Sequence, residues 1–115
     1  MSDKYNILFT PFNIGKQQIK NRFIMGPMGC NQMYDSYGAL NNDGIAYYTE
    51  RAKGGFGAAF LGVAMVDNLV DNYPPTLVEN PLYAPGRYTK MASMLVERCG
   101  AYGTKVFGEV GMGGG

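Results

Sequence analysis

The segment Gly57–Val66, GAAFLGVAMV, carries no charged or polar side chain. Such a run has to be hidden from water on both faces, which suits a parallel strand covered by helices. The segments around it have another period. Upstream, in GIAYYTERAKGG, residues Ile45, Tyr48 and Ala52 recur at i, i+3 and i+7, one face of a helix. Asn42 or Asp43 is placed to cap that helix, Lys53 falls in its last turn, and Gly54-Gly55 stops it. Downstream, RYTKMASMLVERCGAYG lines Tyr88, Met91, Ala92, Leu95 and Cys99 along one side and offers Gly100 and Gly103 as stops. RFIM, ending at Gly26-Pro27, and TKVFGEV read as two further strands, because proline removes a ladder donor and closes the first of them. FNIG followed by QQIKNR reads as a small hairpin with Gly15 at its turn. The expected order is therefore hairpin, then β-α-β-α-β, an α/β fold with a parallel sheet.

Two connections remain. NQMYDSYGALNN is rich in turn formers and reads as a loop. DNLVDNYPPTLVENPLYAPG holds four of the six prolines, and so many fixed φ angles predict a long shaped loop.

Composition removes several function classes. The chain has no histidine, which excludes Ser-His-Asp and Cys-His nucleophile systems and histidine zinc sites within these residues. Two cysteines, Cys30 and Cys99, cannot close a tetrahedral metal site alone, and they read as free thiols. No cationic neighbour in sequence activates Cys30, and Cys99 lies on the apolar helical face. The ten basic residues are scattered and net charge is +1, so no nucleic-acid stripe is expected. No apolar run is long enough to span a membrane and MSDKYN is not a signal peptide, so a cytoplasmic location is expected. The tyrosines Tyr47 and Tyr48 read as core or interface residues, and methionines such as Met25, Met28, Met91 and Met94 as core filling.

In parallel α/β folds, ligands bind beyond the C-terminal strand ends. Three segments fall there: Gly26-Pro27-Met28-Gly29, Gly62-Val63, and Glu109 to Gly113. Glycines at such ends let a flat ligand approach the backbone, though they also simply turn the chain. GGFGAAFLG is not a dinucleotide fingerprint, since it precedes a strand and lacks the third glycine; GMGGG follows a strand, but the sequence stops there.

With these residues laid out, the chain resembles the old yellow enzyme group of NADH:flavin oxidoreductases, which includes 2,4-dienoyl-CoA reductases and clostridial enoate and bile-acid enone reductases. LFTPFNIGKQQIKNRFIMGPM is similar to the group's opening pattern, YYTERAKGGFG to its first helix end, and GTKVFGEVGMGGG to its third strand. The resemblance implies a (β/α)₈ TIM barrel. Residues 1–115 would form the N-terminal segment of that FMN-binding barrel, incomplete in this chain and inactive by itself. It also implies an FMN-dependent ene-reductase-like oxidoreductase as the complete parent, passing hydride from NAD(P)H through FMN to an activated C=C bond of a small unsaturated carbonyl or enoate.

Carried over residue by residue, Pro27, Met28 and Gly29 match the first-strand segment beside the flavin. Cys30 stands one step late. Val63 occupies a position that tends to be smaller in the group and would crowd the ring. Glu109 stands where the group has a glutamine facing the flavin's pyrimidine edge, and Met112 replaces a frequent histidine. No catalytic residue or metal ligand is carried over; the proton donor, and the 4Fe-4S cluster and FAD of the longest members, would lie beyond residue 115. The competing reading is a stand-alone α/β binding or interaction module, against which an uncovered sheet edge after the third strand weighs.

Overall fold

The computed structural model describes residues 3–29, 32–67 and 73–112. A 3-10 helix, Asp3–Phe9, leads into a hairpin of β1 (Phe12–Ile14) and β2 (Gln17–Ile19), antiparallel with Ile14 opposite Gln17 and Gly15 in the turn. Then come β3 (Ile24–Met25), α1 (Asn42–Lys53), β4 (Ala58–Met65), α2 (Pro85–Gly100) and β5 (Lys105–Gly111). The last three strands form one parallel sheet, in the order β3-β4-β5. The expected hairpin and β-α-β-α-β order are both present, as an open sheet and not a closed barrel.

Local differences have plain causes. β3 keeps only Ile24–Met25 of the expected RFIM strand: the Phe23 N–H is taken by a local turn, donating to Asn21 Oδ1, while its carbonyl still accepts from Gly57 N–H at the start of the β3–β4 pairing. The cap of α1 is neither Asn42 nor Asp43 but Asn41, whose Oδ1 accepts from Gly44 N–H at 2.8 Å while its amide donates to Gln32 O at 2.7 Å. The side chain of the residue before the helix reaches the orphan N–H three residues on, which only Asn41 does here.

The core sits between the helices and one face of the sheet. Ile45, Tyr48 and Ala52 of α1 meet Leu95 and Cys99 of α2 over Met25, Ala59 and Leu61. All five helical residues were expected on these faces. The loop 32–40 contributes more than a loop ordinarily does, since Met33, Tyr34, Ala39 and Leu40 are buried in or beside that core.

The K-N-R run in the hairpin proves to be stitching. Lys20 Nζ donates to Tyr102 O past the end of α2, Asn21 Nδ2 donates to Gly55 O past the end of α1, and Arg22 donates to Thr10 O and Pro11 O. Two of these donors therefore satisfy carbonyls near helix C-termini, where cations and N–H groups are favoured. The hairpin is thereby fixed to the N-terminal ends of the strands, leaving their C-terminal ends open.

Candidate functional site

The geometry of the candidate site follows from an irregularity in β4. Phe60 pairs with Phe107, yet Val63 pairs with Glu109, so β4 takes one more residue than β5 over the same distance. The extra residue is a β-bulge around Leu61-Gly62. Before it, Ala59 and its partner Val106 face the helices, so Phe60 and Phe107 face the other way, stacked at 4.9 Å and 15°. On β5, Glu109 lies two residues after Phe107 and keeps to that opposite face. The bulge brings Val63 to the same face; a regular strand would have put Gly62 there.

The segment after β3 closes over the bulge. A β-carbon on Gly62 would lie 3.0 Å from Gly29 Cα and 3.1 Å from Met28 O, so any larger residue would press the 28–29 backbone outward. Met28 is 51% exposed, which corrects its reading as core filling; Met25, three residues earlier, is buried as expected. Around this crossing the backbone is accessible: β-carbons on Gly26 or Gly29 would meet nothing within 4 Å. Val63 is half-buried, and its Cγ2 would stand 2.9 Å from a β-carbon on Gly111, so it fills space at the end of β5.

Met28 and Gly29 thus meet β4 at Gly62, beside Val63, and Val63 meets Glu109 across the strand pair; Pro27 precedes that contact along the same segment. What results is a shelf of exposed backbone bordered by a thioether, a valine and one carboxylate. It can accept a flat ring. It offers backbone groups and an acceptor side chain, but no cation. Among the described residues, no group of three His, Cys, Asp or Glu side chains is arranged to hold a metal ion, and no helix is long and apolar enough to cross a membrane.

Cys99 is buried and free, its thiol pushed up by burial with Thr49 partly opposing, so it behaves as a core residue. Cys30 and Gly113 lie outside the described residues. A separate cleft of about 280 Å³, lined by Phe9, Asn21, Phe23 and Gly54–Phe56, sits at the N-terminal strand ends, the far side from the shelf.

Sequence reading missed how the loop 32–40 is held. Asp35 Oδ1 accepts from Tyr37 N–H and Ala39 N–H, and its Oδ2 from Arg87 on α2. Burial alone would raise the Asp35 carboxyl; the Arg87 guanidinium and the two N–H groups outweigh it and hold it below its ordinary value. The D-x-x-G run Asp35–Gly38 was the available signal, an Asx-type turn.

The model of the NADH:flavin oxidoreductase / NADH oxidase family matches residues 7–78. The cinnamate reductase of Clostridium sporogenes is 38% identical over 113 residues, covering 98% of this chain and 17% of that protein. Among solved structures, a 2-naphthoyl-CoA reductase in complex with 2-naphthoyl-CoA superposes with a TM-score of 0.78 at 24% identity, over 92% of this chain and 16% of its own. The old yellow enzyme of Pichia sp. superposes with a TM-score of 0.74 at 19% identity, over 90% of this chain and 26% of its own. The chain spans about a sixth of the cinnamate reductase it matches.

Proposed function

The chain belongs to the NADH:flavin oxidoreductase / NADH oxidase family, and from that premise we propose that it supplies one wall of an FMN site in an ene-reductase-like enzyme. The observation that carries the proposal is the shelf: the Gly29–Gly62 crossing, with Val63 brought by the bulge to the face that Glu109 already occupies. An exposed backbone with open space over Gly26 and Gly29 suits a planar ring system. When bound, FMN would supply the hydride chemistry, accepting from NAD(P)H and delivering to an activated C=C bond.

The chain's own residues bind and orient. Pro27, Met28 and Gly29 border one edge of the ring with backbone and the Met28 thioether. Val63 excludes water at the strand end. Glu109 offers its carboxylate to a ring N–H, where an amide would both accept and donate. No residue of this chain is assigned a proton-transfer role. The substrate class is a small enoate or unsaturated carbonyl, by similarity to the cinnamate reductase.

The test uses the intact protein. Flavin released on denaturation is identified by chromatography, and anaerobic turnover of cinnamate is followed with NADH and with NADPH. Stoichiometric FMN with enoate reduction supports the proposal. An intact, folded protein that neither holds nor takes up FMN sinks it.

A further inference from the structure

Glu79 is 1% exposed, and neither carboxyl oxygen has a hydrogen-bond partner among the described residues. Its backbone is clamped. Glu79 forms a parallel bridge with Ala64, beyond the reach of the short β3, and its carbonyl accepts from Met65 N–H at 2.9 Å. The next residue, Asn80, donates its N–H to Gly38 O at 2.9 Å and accepts from Leu82 N–H through Oδ1. Gly38, at φ +80°, lies so close that a β-carbon there would stand 2.6 Å from Asn80 Cβ. Segment 79–80 therefore joins the end of β4 to the loop 32–40, which Asp35 and Arg87 tie to α2.

An ionised carboxylate in that position would receive no hydrogen bond from the described residues, and a buried charge without one is costly. We propose that Glu79 is a proton-operated latch joining the loops that follow β3 and β4: closed while its carboxyl is protonated, released when the carboxyl ionises and turns to water. The groups around it fit. β4 faces it with Ala64 and Met65, which do not titrate. α2 brings Tyr88, whose hydroxyl burial and the Glu79 charge push up to about 12, so it stays neutral. The loop 32–40 brings Asp35 and α2 brings Arg87, and these two are paired with each other.

The direction follows from linkage. Burial pushes the closed-state carboxyl up to about 7, whereas in an opened segment it returns to the ordinary carboxylate range. The closed form thus binds the extra proton. Closure is strongest at low pH, weakens as pH rises from that range toward 7, and levels off above it. Between about pH 5.5 and about pH 8.5 the opening equilibrium should rise roughly 30-fold.

The experiment is hydrogen exchange on the intact protein, read as protection factors at the amides of Met65 and Asn80, the two donors of the clamp. In the unaltered protein, protection at both should fall roughly 30-fold over that pH range. In Glu79→Gln, which keeps the shape but cannot ionise, it should stay flat. A carbon-13 titration of the Glu79 carboxyl in the unaltered protein provides the second reading, with a midpoint near 7 expected. A midpoint in the ordinary carboxylate range, flat protection in the unaltered protein, or the same pH dependence in Glu79→Gln would each overturn the latch.

Discussion

The two faces of β4 do different jobs with similar residues. Toward the helices, Ala59 and Leu61 are sealed under Ile45, Tyr48 and Leu95. On the other face, Phe60 stacks on Phe107, and Val63 meets the exposed Glu109. Both faces are apolar in sequence, so hydrophobicity alone does not say which is core and which borders the proposed site. The bulge does. It turns Val63 onto the open face beside Glu109, next to the place where Gly29 crosses Gly62.

The largest effect should come from breaking the sealed face. Leu95 is fully buried between α2 and α1, and Leu95→Ala should cost roughly 2–5 kcal/mol from lost burial plus the cavity left behind. Denaturant midpoints of the intact protein measure it. A loss below about 1 kcal/mol would mean that the α1–α2 seam is not tightly packed.

Gly62→Val strikes the boundary between the two faces. Its β-carbon would stand 3.0 Å from Gly29 Cα, so the 28–29 segment must lift. Overpacking of this kind costs about 1–3 kcal/mol. Flavin content should fall more than the stability loss explains, because the displaced segment is the proposed ring wall. Full flavin occupancy in a folded Gly62→Val protein would separate the crossing from the site.

A smaller effect is expected at the loop that roofs the core. Asn41→Ala removes the cap on Gly44 N–H and the tie to Gln32 O together. The expected cost is about 1 kcal/mol, with the helix start fraying first in hydrogen exchange. An unchanged protection pattern at residues 43–45 would show that the cap is dispensable.

How much of this was legible depended on the range of the cause. Ile45, Tyr48, Ala52, Leu95 and Cys99 were readable because a helical face is a local, periodic property. The hairpin and strand order were readable for the same reason. The strand-end rule marked the three site segments and the family resemblance gave them roles, but nothing local to GAAFLG announces a bulge, and the bulge is what puts Val63 beside Glu109. Glu79 was not legible at all. In the sequence it is a charged residue in a proline-rich loop, and only the return of that loop to Ala64 buries it.

Glu109→Gln is the smallest change and the most specific test of the open face. Glu109 is exposed, so stability should shift by no more than about 0.5 kcal/mol. The chemistry should shift more. A carboxylate beside the ring's pyrimidine edge accepts one hydrogen bond but gives none to the neighbouring carbonyl, and it repels the negative charge that reduction places on the ring. An amide removes the repulsion and supplies the donor. A hydrogen bond involving a charged group is worth roughly 1.5–3 kcal/mol, which for a two-electron couple is on the order of 30–60 mV. In the intact protein, Glu109→Gln should therefore raise the flavin reduction potential by that order, with enoate turnover retained. Potentiometric titration of both forms decides it. Superimposable curves would mean that Glu109, though aligned with Val63 on the open face, does not face the flavin, and the shelf would then end at Val63.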